Sequence, residues 1–237
     1  MKISILLIFT ILSLTSLETF AKSLSLIKDV KSCFRSPFDT HEKWLNFLEL
    51  KKKNFNKESF LKSFPKERYD RIKTNLVCKD FRYEVDGNTV EGYYLMPRNI
   101  SNKKSPVVIY NRGGNARFGY VVFGKKLQLI SDVAMEGYVV IGSQYRGASS
   151  KFISNNGLDE FGGADINDVL TLLNLAKEIP EADTSMVGMI GWSRGVMQSY
   201  IASQSIPSLK TLVAVAGNSD VEKALVWRPE MEKVYKA

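Results

Sequence analysis

The stretch SMVGMIGWSRGVMQSYIAS (185–203) constrains the fold of this chain more than any other. Its first eight residues are mostly apolar, as in a strand buried on both faces. Gly191-Trp192-Ser193-Arg194-Gly195 follows, and then a sequence that reads as a helix. A G-x-S-x-G pattern between strand and helix marks a sharp, strained turn that exposes a serine hydroxyl. Glycines flank such a serine because the two backbones approach closely. Ser193 is therefore the candidate nucleophile, against the plainer reading of an ordinary strand-to-helix turn. The N–H of Arg194, at the positive end of the helix, is the candidate oxyanion donor.

Other segments fit the same architecture. PVVIY (106–110), GYVVIGSQY (137–145) and KTLVAVAG (210–217) are further buried-strand runs. Helical patterns separate them, at about 120–135, 165–179 and 194–205. In the second, Asp165 is an N-cap candidate, and Ile166, Val169, Leu170, Leu173 and Ala176 form one stripe. Upstream, FRYEV (81–85) and TVEGYYLM (89–96) alternate as strands around an Asp86-Gly87-Asn88 hairpin turn. The alternation predicts the α/β class: a mostly parallel sheet with helices on both faces and functional residues at the strands' carboxyl ends. The YNRGGNARFG loop (110–119) follows the first parallel strand, where Gly113-Gly114 can turn backbone N–H groups toward developing negative charge. QYRGASS (144–150) and EFGGADINDV (160–169) read as loop residues, with Asp165 and Asp168 as helix-start charges.

The N-terminal part is different. Met1-Lys2, the apolar run ISILLIFTILSL, and Thr19 and Ala21 at cleavage-site positions predict a signal peptide over residues 1–21. The run is shorter than the roughly 20 residues of a membrane span. Export to the periplasm or beyond, with no stable membrane anchor, is the expectation. Cys33 and Cys78 then allow a disulfide in an oxidising compartment, or two buried thiols. Residues 22–80 read as a helical flanking segment, with a capping start at Asp39 and a second helical stretch over 56–76 split by Pro65. They hold fifteen Lys/Arg against eight Asp/Glu, so most of the net charge of +8 is local to them. Solvated helix faces account for that excess, and no nucleic-acid signature accompanies it. One histidine and two distant cysteines supply no metal-ligand cluster, and no cofactor-binding loop is present.

Taken in order, VVIYNRGG, GYVVIGSQYRGASS, EFGGADINDVLTLL, MVGMIGWSRGVMQSYIA and LVAVAGNSD resemble the α/β-hydrolases of the prolyl oligopeptidase (S9) peptidase type. The resemblance covers roughly residues 81–220. It implies a serine peptidase or related acyl hydrolase acting on a peptide or ester, without cofactor. Ser193 would attack the carbonyl and Arg194 N–H would hold the oxyanion. The family's second oxyanion donor, often a tyrosine hydroxyl, falls near Asn111, with a backbone N–H near Gly113 as the substitute.

In that family the acid and the histidine follow the serine. Here 44 residues follow Ser193, and none is histidine; Asp220 lies near where relatives of the fold sometimes place their acid, and without a histidine to orient it has no triad role. His41, the one histidine, falls in the flanking segment and reads as a surface or capping residue. Lys210 and Lys223 are available for Ser-Lys chemistry but are not marked as buried. Loss of the histidine costs on the order of 10⁶ in turnover, roughly 8 kcal/mol of barrier. The expectation is a hydrolase domain over 81–237, incomplete at its C-terminus and lacking its last strands, a fragment or an inactive product. A non-catalytic binding protein on the same scaffold, or an esterase, are the alternatives.

Overall fold

The computed structural model describes residues 25–100, 104–217 and 220–235. The signal peptide expected over residues 1–21 lies outside them. Among the described residues, no helix is long and apolar enough to cross a membrane.

Seven strands form one sheet: β1 (Lys28–Ser32), β2 (Leu76–Val85), β3 (Asn88–Pro97), β4 (Ser105–Asn111), β5 (Val139–Ser143), β6 (Ala182–Trp192) and β7 (Leu209–Val215). Their spatial order is β1-β2-β3-β5-β4-β6-β7. β1, β2 and β3 pair antiparallel, and β3 joins β5 antiparallel. β5, β4, β6 and β7 are parallel. The β2–β3 turn uses Asp86 (φ 50°) and Gly87 (φ 74°), both left-handed as a two-residue hairpin of this twist requires.

Helices cover both faces. α6 (Ile166–Ala176) and α7 (Arg194–Ser203) pack on one. There Val169, Leu172 and Leu175 meet Tyr83, Val107, Ile109, Val139 and Ile141, all fully buried. The other face carries α1 (His41–Lys51), α2 (Lys57–Ser63) and α3 (Lys66–Asn75). With them packs a helical run made of α4 (Phe123–Lys125), a π turn (126–130) and α5 (Ser131–Met135). Trp44, Phe60, Tyr69, Phe123 and Leu127 share that core with Tyr93, Val108 and Val140 of the sheet. Burying each such side chain is worth roughly 1.5–3 kcal/mol. α8 (Val221–Trp227), a 3-10 turn (229–231) and α9 (Glu232–Tyr235) follow β7, whose Val213 is 47% exposed.

The helical reading of 22–80 needs correction at both ends. Lys28–Ser32 is a strand, and β2 begins at Leu76, so the expected boundary at residue 81 falls inside a strand. KDVKS is a short, polar, mostly exposed edge strand without an alternating apolar face, which leaves periodicity nothing to detect. The cap of α1 is Thr40, which accepts from Lys43 N, while Asp39 pairs with the Lys43 ammonium. Cys33 and Cys78 form a disulfide with a Cα–Cα distance of 5.3 Å, which decides between the bridge and the free thiols.

Candidate active site

β6 delivers its last residues to the carboxyl edge of the sheet, and α7 leaves at once in the opposite sense. Ser193 takes the turn with φ 53° and ψ −119°, a conformation side-chain-bearing residues rarely adopt. It holds because the neighbours have no Cβ. One on Gly191 would lie 2.5 Å from Gly195 O, and one on Gly195 would run into the Asn111 carbonyl oxygen of β4. Ser193 N donates to Val215 O at 2.8 Å, so β7 braces the elbow from the far side. The side chain of Ser193 is exposed to a cleft of about 430 Å³ lined by Tyr110, Gly113, Gly114, Val121, Lys125 and Trp192, among others.

Gly113 lies directly against the serine, since a Cβ there would be 2.9 Å from Ser193 Cβ. The N–H groups of Gly113 and Gly114 have no acceptor among the described residues. Arg194 N–H, at the first position of α7, has none within its own helix. Gly113 and Gly114 line the cleft with Ser193, and Arg194 follows the serine in the chain.

Asn111 is not among them. Its side chain is fully buried, Nδ2 donating to Ser199 Oγ at 2.8 Å, and it does not line the cleft. Successive strand residues face opposite sides, so Tyr110 lines the cleft and Asn111 goes under the elbow. The expectation of Asn111 as an oxyanion donor is corrected on that ground; Gly113 lies beside Ser193.

Two arginines the sequence reading did not use as side chains organise the surrounding loops. The buried Arg112 guanidinium donates to the carbonyls of Gly113 (3.0 Å), Ala116 (2.8 Å), Phe118 (3.0 Å) and Gln144. Arg194, also buried, reaches Asp159 (2.6 Å), Asp165 and the Gly114 carbonyl (3.1 Å). Asp159 in turn accepts from Ala116 N at 2.7 Å. Asp165 makes no capping bond to α6, and Asp168 takes Arg146 in a fork at 2.7 and 3.1 Å. Asp165 at the N-cap position of α6 and Asp168 in its first turn stand at the helix start as read from the sequence, and both carboxylates are completely buried against arginines. The signal was the pairing of YRG and ADIND with the elbow arginine, which taken singly look like loop polarity.

The remaining candidates lie elsewhere. His41 is buried, its Nε2 donating to Phe64 O at 2.7 Å, with its ring among Trp44, Phe60 and Tyr69. It is a core residue, neither surface nor cap, and lines no part of the cleft. Lys210 and Lys223 are exposed and outside the cleft, and Asp220 caps α8 by accepting from Lys223 N. Lys125 is the lysine of the cleft; burial beside Arg112 pushes its pKa down, and its ammonium donates to Gly119 O at 3.1 Å. Among the described residues, no group of three or more His, Cys, Asp or Glu side chains is placed to hold a metal.

Known proteins resemble this chain. Dipeptidyl-peptidase 5 of Porphyromonas gingivalis is 27% identical over 173 residues, 68% of this chain and 24% of that protein. The chain thus spans about a quarter of that relative. The acylaminoacyl peptidase of Pyrococcus horikoshii superposes with a TM-score of 0.50 at 21% identity, covering 64% of this chain and 25% of that one. A rice cell wall degrading esterase from Xanthomonas oryzae gives 0.50 at 17%, covering 64% and 45%. These likenesses carry the fold alone, and the fold is that of the α/β-hydrolases. The family model of X-Pro dipeptidyl-peptidases (S15) matches residues 34–231, which takes in α1 to α3 as well as the elbow. By that match the chain belongs to the X-Pro dipeptidyl-peptidase (S15) family of α/β-hydrolase peptidases.

Proposed function

We propose that Ser193 is the nucleophile of an acyl-transfer site that acts on peptides. Its hydroxyl adds to the scissile carbonyl, and the N–H groups of Arg194 and Gly113 or Gly114 hold the resulting oxyanion. The observation that carries the reading is the strained, exposed Ser193 at φ 53°, with Gly113 against it and the Gly113 and Gly114 amides without an acceptor among the described residues. Strain of this sort persists where the surroundings over-determine it, as at catalytic turns. The family and the Porphyromonas relative, both named for dipeptidyl peptidases, favour peptide over ester substrates. The narrower kinship with the prolyl oligopeptidase (S9) type rests on the order of the motifs. Export rests on the apolar leader and on the Cys33–Cys78 bridge, which suits an oxidising compartment.

The general base is the missing part. The single imidazole of the 237 residues is engaged in the aromatic core. These 237 residues thus bring no imidazole to the cleft, which also favours a second reading, a binding protein on a hydrolase scaffold. Added imidazole separates the two. Intact-mass detection of a fluorophosphonate adduct should show Ser193 labelled slowly, faster with imidazole concentration, and not at all in Ser193→Ala. Labelling that ignores both imidazole and Ser193→Ala would sink the nucleophile reading. Rapid unaided turnover of a peptide would sink the claim of a missing base.

A further inference from the structure

Behind the cleft, Tyr145 lies between two guanidinium groups. Arg112 Cζ stands 4.7 Å from its ring centroid, and Arg194 Cζ stands 5.1 Å from it. Tyr145 is fully buried and holds a left-handed backbone (φ 61°), unusual for a bulky residue. Its amide donates to Ser143 Oγ at 2.8 Å, which fixes the turn after β5. Its hydroxyl donates to the carbonyl oxygen of Arg112 at 3.2 Å.

That last bond bears on Ser193. A trans peptide is planar, with C=O and N–H on opposite sides. Drawing Arg112 O toward Tyr145 turns Gly113 N–H away from it. Drawing Gly113 O onto the Arg112 guanidinium (3.0 Å) does the same for Gly114 N–H. Arg194 donates to Gly114 O at 3.1 Å. Every carbonyl from Arg112 to Gly114 is thereby engaged, while the amides of Gly113 and Gly114 have no acceptor among the described residues. Gly113 is the residue in contact with Ser193 Cβ.

We propose that Tyr145, clamped between Arg112 and Arg194, is a positioning residue that fixes the direction of the Gly113 and Gly114 amides beside Ser193. It touches no substrate and acts through the Arg112–Gly113 peptide. Burial raises its pKa, so the hydroxyl remains a donor at any working pH. The inference rests on the acyl-transfer reading and adds to it the element that orients the second oxyanion donor. Neither Arg112 nor Tyr145 was singled out by sequence.

Tyr145→Phe removes one hydroxyl and leaves the ring between the arginines. Phosphonylation of Ser193 by a fluorophosphonate in imidazole buffer, followed to saturation, separates the limiting rate from the probe's KI. A misdirected donor acts on the charge that develops during attack, where losing one donor costs about 10²–10³ in rate. The expected result is a limiting rate at least about tenfold lower, with KI within about twofold. Arg112→Lys should show the same split, with restoration of rate by millimolar methylguanidine in Arg112→Ala. Folded Tyr145→Phe with an unchanged limiting rate would overturn the proposal. A rate loss matched by an equal loss in KI means a loosened cleft and overturns it as well. Wild-type chain that never acquires label at Ser193 fails differently: it removes the acyl-transfer reading itself.

Discussion

Gly195, on the first turn of α7, packs so closely on β4 that a methyl group there would collide with the carbonyl oxygen of Asn111. The relation ties the elbow to the strand that supplies the glycine loop. A collision with backbone cannot be relieved by a rotamer change. Gly195→Ala should therefore destabilise the chain by about 3 kcal/mol or more, at the upper end of overpacking costs. Urea unfolding measures the loss, and fluorophosphonate adduct at Ser193 should vanish with it. A stable Gly195→Ala chain that still labels would mean the elbow has a different geometry.

His41 gives the second prediction. Its ring N–H satisfies Phe64 O inside the aromatic core. His41→Phe should cost about 1–3 kcal/mol through the orphaned carbonyl. The labelling rate of Ser193 in the absence of imidazole should not change. A fall in that rate at constant stability would make His41 the base.

The Cys33–Cys78 bridge closes a loop with a sequence separation of 45 residues. By the loop-entropy relation it contributes about 4 kcal/mol. The paired substitution Cys33→Ser with Cys78→Ser, or reduction by dithiothreitol, should lower the urea midpoint accordingly. An unchanged midpoint would show that the neighbouring strands β1 and β2 suffice without it.

Asp168 is the fourth test. It is completely buried against Arg146, which also reaches the partly exposed Asp86 at 2.7 Å. Asp168→Ala strands a buried guanidinium, and removing one partner of such a pair costs about 3–5 kcal/mol. Asp86→Ala, at the exposed end, should cost about 1 kcal/mol or less. Equal losses in the two variants would contradict the burial difference.

Much of the architecture was legible in the sequence. The strands β4 to β7 announced themselves as apolar runs, and α6 as a stripe closed by Pro180. Ser193 stood out because strand, glycines and helix follow one another without a gap. Periodicity is local, and so are these features. Other parts were legible only in part. The helices α1 to α3 were visible, but the polar edge strand β1 had no pattern, and the disulfide was left open against free thiols.

By itself, the order of residues determined the α/β arrangement, the serine on its elbow and the scarcity of imidazole. Only the tertiary structure decided which groups face Ser193. Pleating sent Asn111 below the elbow and left Gly113 beside the serine, since neighbouring strand residues point to opposite sides. Packing brought Arg112, Tyr145, Asp159, Asp165 and Arg194 together from two loops and a helix start. No sequence period encodes such a cluster: its members are joined by buried charge and hydrogen bonding, which act through space and not along the chain.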